Sequence, residues 1–189
     1  MRRILMAACV AAFLMLPAVS LAEAPSYTFV EGGLIDVSID RNNASDFDDD
    51  GIFVGGSYGW KHFHIFGEFQ EIGDFDSWYA GGGWQGILGE KADLVAQVTY
   101  QDIEIDLDGS PDIDDDGTVF SVGVRWQLIK ILEINGFVSA ADFDDVEDDF
   151  ILDLNAVFTF GKFGIGAGWE TSDEDRDTAR VYARWMIDR

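Results

Sequence analysis

This chain of 189 residues is poor in cysteine, with one, in proline, with three, and in basic residues, with 12 Lys+Arg against 36 Asp+Glu. The single cysteine, Cys9, lies in the first apolar stretch. Everything after it is therefore without disulfides, thiolate nucleophiles or cysteine-built zinc clusters. A formal charge of −24 with no basic patch excludes nucleic acid as a partner, because binding phosphate depends on Lys and Arg displacing counterions. From Ser26 onward there is also no 3.6-residue apolar periodicity, which argues against a helical domain.

What is present is 48% apolar residues and 21 glycines, enough for one domain with a core or an enclosed interior. Residues 1–24 read as a secretory signal peptide. Arg2 and Arg3 form the positive start, Ile4 to Leu16 the apolar stretch, and Ala22-Glu23-Ala24 the small-x-small cleavage site. Pro17 and the small residues break up the span that a transmembrane helix needs. Cys9 has too few residues before it for a lipoprotein signal. The expected domain is residues 25–189, outside the cytoplasm.

Over that domain ten stretches alternate with period two, near 26–39, 51–60, 62–71, 77–86, 94–105, 118–128, 131–141, 150–160, 163–171 and 178–187. The connections between them come in two kinds. Those around Trp60-Lys61, Gly89-Glu90-Lys91, Ile129-Lys130 and Gly161-Lys162 are mostly short and hold all four lysines. The intervening ones, such as "RNNASDFDDD" and "LDGSPDIDDDG", are acidic and mostly longer. An antiparallel meander with two unlike ends follows.

One parity of each stretch is apolar, for example Phe63, Ile65 and Phe69, or Phe120, Val122, Val124 and Trp126. The other is polar and small, with His64, Glu68, Gln97, Asp153, Tyr182 and many glycines. A soluble sandwich would bury the apolar parity and place large rings mid-core. Here all six tryptophans lie on that parity near strand ends: Trp60, Trp84, Trp126 and Trp185 at the lysine end, Trp78 and Trp169 at the acidic end. Two aromatic girdles of this kind mark the interfaces of a bilayer. Each large apolar side chain left in water would forgo about 1.5–3 kcal/mol, so the band has to be covered. Only a closed sheet satisfies every strand backbone group within hydrocarbon. The reading is an all-β, transmembrane, antiparallel up-and-down β-barrel of ten strands, eight being the alternative. It belongs in the outer membrane of a Gram-negative bacterium, among lipid and lipopolysaccharide.

The signal peptide, the first strand "YTFVEGG", the hairpin "WKHFHIFGEF" and the last strand "VYARW" resemble the outer-membrane β-barrel domain family, comprising small OmpA/OmpX-like surface barrels and porin-like relatives. The resemblance covers residues 25–189. It implies insertion by the barrel-assembly machinery. That family usually ends on an aromatic residue, whereas here Met186-Ile187-Asp188-Arg189 follow Trp185.

Three sets of residues are candidates for function. The first is a lumen charge network. Arg125 lies opposite Glu133 if Trp126 pairs near Leu132, Glu170 can face Arg180 across the last hairpin, and Glu31 meets Arg184 on barrel closure if the first strand, whose two faces are both partly apolar until Asp36, turns it inward. Such a network either gates a constriction or plugs a narrow interior. Inward glycines 81, 83, 123, 166 and 168 would leave space around it. The second set is metal-related: "DFDDDG" at 46–51 and "DIDDDG" at 112–117 match the first half of a calcium loop. Asp46, Asp48, Asp50, Asp112, Asp114 and Asp116 are candidate ligands for Ca²⁺ or Mg²⁺, but Ser57 and Gly123 stand where the closing glutamate belongs. A solvated acidic fringe is the other reading of these segments. The third set is the tryptophan girdles.

Catalysis is not expected. OmpT-like surface proteases work with acidic residues and a histidine at the outer rim. The only histidines here, His62 and His64, start the third strand at the opposite end. The expected role is a non-enzymatic barrel displaying acidic extracellular loops, structural or surface-interacting. A narrow cation-favouring diffusion pore is the alternative, and a soluble periplasmic binding barrel is a third.

Overall fold

The computed structural model describes residues 25–39, 47–105, 113–143, 149–173 and 176–187; residues 1–24, where a signal peptide is expected, lie outside them. Ten strands follow in chain order: β1 Phe29–Ile39, β2 Phe47–Trp60, β3 Phe63–Ile72, β4 Phe75–Ile87, β5 Ala92–Ile105, β6 Ile113–Ile129, β7 Leu132–Phe143, β8 Asp149–Phe160, β9 Phe163–Ser172 and β10 Arg176–Met186. Each pairs antiparallel with its chain neighbours, and β1 pairs with β10 from Phe29↔Met186 to Ile39↔Arg176. The sheet closes on itself, leaving no edge.

Tight turns close the lysine end, with Lys61 (φ 55°) and Gly161 (φ 65°) in the left-handed region that two-residue hairpins require. The ladder is regular except for one bulge at the end of β6, between Gln127 and Ile129. At the acidic end the described strands run further than the alternation foretold. β2 begins at Phe47 and β6 at Ile113, four and five residues earlier, so both acidic motifs are largely strand. Pairing continues there because ladder hydrogen bonds need only a partner backbone. The apolar pattern that marks a strand in sequence ends where hydrocarbon ends.

The two parities separate cleanly. Outward residues such as Leu34, Ile65, Val122 and Val181 are 56–66% exposed, while inward neighbours such as Ile35, Val95 and Val157 are at most 2% exposed. Strand one, apolar on both faces, turns Val30 and Leu34 outward and Glu31, Ile35 and Val37 inward. The apolar belt is thus the outer wall and the polar parity the lumen.

Candidate functional site

The lumen is built in layers, and inward glycines shape each one. His64 lies across the ladder from Gly83, Phe66 from Gly81, Phe137 from Gly123, Tyr182 from Gly166 and Asn155 from Gly168. At each of these five glycines an added Cβ would overlap the facing side chain. The expectation that they leave open space is therefore corrected. A residue with no side chain gives its partner room to lie flat against the wall.

Toward the lysine end, four charges form one chain across the lumen. Arg125 reaches Glu133 at 2.6 Å, Arg184 approaches the same carboxylate at 3.6 Å, and Arg184 Nε donates to Glu31 at 2.6 Å. The ladder sets Arg125 opposite Asn135 and Gln127 opposite Glu133, so the Arg125–Glu133 pair is diagonal, two residues off the expected register. The guanidinium is long enough to span that offset. Arg184 also lies 4.0 Å from the Phe29 ring centroid, adding a cation–π contact to the buried charge.

Toward the acidic end the pairing differs from the expected one. Arg180 stands opposite Gly168 in the ladder and bonds Glu68 on β3 at 2.7 Å, while Glu170 takes Arg176 at 3.3 Å. Gln70 donates to Glu68 at 2.8 Å, and Asn155 donates to Asp153 at 2.5 Å. Every inward arginine among the described residues thus has a carboxylate partner.

The acidic half of the lumen also holds apolar side chains that the sequence reading did not anticipate. Ile35, Val37, Phe53 and Ile72 pack together with Phe75 against them, in one cluster with Val157 and the expected lumen residue Tyr182, and Val119, Ala141 and Ile151 form a second group with Phe143. Only strand one hinted at this, through its two apolar faces. A cavity of ≈ 480 Å³ runs along the lumen past these groups and the arginines, lined from Tyr27 and Arg125 at the lysine end, past Glu68 and Arg180, to Ile72 and Arg176 at the acidic end.

Four residues ahead of β1 occupy the lysine-end mouth. Pro25, Ser26, Tyr27 and Thr28 are all buried. Arg125 donates to the Ser26 carbonyl at 2.9 Å and lies over the Tyr27 ring at 4.2 Å. That ring also meets His64, with centroids 5.0 Å apart. Burial pushes the Tyr27 phenol well above its usual range, with Arg125 pulling the other way, so the ring faces the guanidinium as a neutral group. His64 itself is held by Gln85 at 2.7 Å and Gln97 at 2.9 Å, an arrangement with no nucleophile in it.

Of the acidic motifs, Asp46 and Asp112 lie outside the described residues. Asp48, Asp50 and Asp116 are strand residues of outward parity, and Asp114 lies in the same strand as Asp116. Strand geometry spaces alternate carboxylates along a line rather than wrapping them round an ion. Among the described residues no group of three His, Cys, Asp or Glu side chains could hold a metal. Instead they join an outward acidic rim: Asp36 stands opposite Asp50, Glu71 opposite Asp76, Asp76 opposite Glu104, and Asp102 opposite Asp116. Below the rim on the same face lie Trp78 and Trp169, each 43% exposed; Trp60, Trp84 and Trp185 are exposed and Trp126 half-buried at the other end.

No protein-family model matches the chain, and no curated protein matches it by sequence. Solved structures do resemble it. The KdgM porin aligns at 6% identity over 84% of this chain and 99% of that one, with TM-score 0.50. The KdgM porin in complex with disordered oligogalacturonate aligns over 85% and 99%, also at 6% identity and TM-score 0.50. The Ail attachment invasion locus protein of Yersinia pestis aligns at 10% identity over 85% and 97%, with TM-score 0.44. At these identities the likeness is one of fold, that of the outer-membrane β-barrel.

Proposed function

We propose that this chain is a non-enzymatic outer-membrane barrel with a closed lumen, whose work is done at its acidic outer rim. Membrane residence rests on the apolar belt bounded by tryptophans, which only hydrocarbon would cover. The acidic end then faces the exterior and the lysine end the periplasm. Lipid and lipopolysaccharide are the surroundings that the belt and the rim would meet.

Closure is carried by one observation: side chains from well-separated strands meet inside. Arg180 on β10 reaches Glu68 on β3, and Arg184 on β10 reaches toward Glu133 on β7. Buried charges cost several kcal/mol each unless paired, so an ion crossing the lumen would have to break those pairs. Membrane fractionation, heat-modifiable migration on gels and conductance in planar bilayers test the reading together. A heat-modifiable outer-membrane protein with no steady current supports it; a stable open channel contradicts it.

The cation-favouring pore keeps one specific argument. Inward carboxylates, among them Asp93, Asp115, Asp149 and Asp153, outnumber the four inward arginines of the described strands. Such a lumen suits a polyanion like oligogalacturonate poorly. If current were found, cations should carry it.

A further inference from the structure

The segment ahead of β1 crosses the lumen. In the closed order of strands, β6 stands five positions from β1 in either direction, directly across the barrel. Yet Arg125 of β6 bonds the carbonyl of Ser26, three residues before β1 begins, and covers the Tyr27 ring. His64 of β3 supports the same ring from another side.

The segment is anchored at its root as well. Gly59 of β2 donates its backbone N–H to the Thr28 hydroxyl at 3.2 Å, and Ile187, just past β10, donates to the Thr28 carbonyl at 2.9 Å. A Cβ at Gly59 would meet Tyr27 Cβ at 2.6 Å, so the wall is cut away where the tail turns inward. Tail and wall are shaped for one another. A passively frayed segment would leave its backbone to water and its aromatic ring exposed.

We propose that Pro25–Thr28 is a built-in stopper of the periplasmic mouth. Tyr27 is the bung, and Arg125 on the opposite wall is the latch that holds the chain across the opening. The proposal rests on the closed-barrel reading and adds the element that seals its inner end. The latch is shared: the guanidinium that holds Ser26 also pairs with Glu133, so it is held in place whether or not the tail is seated. The stopper can therefore leave without unpairing a buried charge.

The test uses protein purified from membranes of cells expressing the full chain and shown to be folded by heat-modifiability. The domain has no cysteine, so Ser26→Cys introduces the one reactive site. With the tail seated it reacts at least about ten times more slowly with a charged maleimide than Lys61→Cys on the exposed turn, because labelling must wait for local opening. Adding Tyr27→Gly, which removes the bung, should raise the Ser26→Cys rate severalfold in a barrel that stays folded. Equal rates for Ser26→Cys and Lys61→Cys overturn the stopper while leaving the closed-barrel reading standing, and so does a Ser26→Cys rate that Tyr27→Gly leaves unchanged. Steady current through wild type contradicts the closed-barrel reading instead.

Discussion

Arg180 and Glu68 bond at 2.7 Å although β10 and β3 are three strands apart around the barrel, so this pair ties one wall to another across the interior. Both side chains are withdrawn from solvent, at 18% and 5% exposure. Removing one partner leaves the other charge buried and uncompensated. Arg180→Met, which also deprives Asp153 and Glu170 of a nearby cation, should destabilise the barrel by about 3–5 kcal/mol. Adding Glu68→Gln to it should recover part of that loss. Urea unfolding in detergent micelles reads both values, and a double variant no more stable than the single one contradicts the pairing.

Gly166 and Tyr182 are ladder partners, and the ring occupies the place of the missing side chain. Gly166→Ala should force the ring off the wall at a cost of about 1–3 kcal/mol. Gly82 faces outward, with its nearest neighbour 3.6 Å from an added Cβ. Gly82→Ala should therefore be close to neutral. Comparing the two unfolding midpoints checks whether inward glycines are filled niches.

Val122 lies mid-strand on the outer face, two alternations from Trp126, and is 56% exposed. Val122→Arg should cost about 2–4 kcal/mol in lipid vesicles, as a charge near the bilayer midplane does. Asp116 lies on the same strand in the rim, and Asp116→Asn should change stability little. A Val122→Arg barrel as stable as wild type in vesicles would place the belt outside hydrocarbon.

The Arg125 latch gives a separate expectation. Arg125→Lys keeps the charge but loses the flat guanidinium that bonds Ser26, pairs with Glu133 and covers Tyr27. Its Ser26→Cys form should label with maleimide faster than Ser26→Cys alone while the barrel stays heat-modifiable. Unchanged labelling would show that the tail is held without the latch.

The barrel wall was legible in sequence because a bilayer imposes a strict rule on it. Outward residues must be apolar, and rings gather at both interfaces, so Trp84 and Trp169 mark the strand spans plainly. The lumen obeys no comparable rule. Its side chains are chosen for mutual fit, which depends on register, and the period-two pattern carries no register. Arg125 and Glu133 could be associated because they flank one short turn. Arg180 and Glu68, far apart in the chain, could not. Ile35 and Val37 were ambiguous because an apolar residue is compatible with either face, and only closure against β10 settled strand one. The acidic motifs looked like loops because aspartate is poor in strands and common in turns; beyond the hydrocarbon the ladder simply continues through them.

Tryptophan fluorescence with brominated lipids tests the account most directly. Bromine placed along the acyl chains quenches only indoles that touch hydrocarbon or its border. For the protein reconstituted in such vesicles, the account predicts strong quenching of emission that comes entirely from the six girdle residues, with only weak quenching by aqueous iodide. Emission untouched by brominated chains would mean that Trp84, Trp126 and Trp169 are covered by something other than lipid.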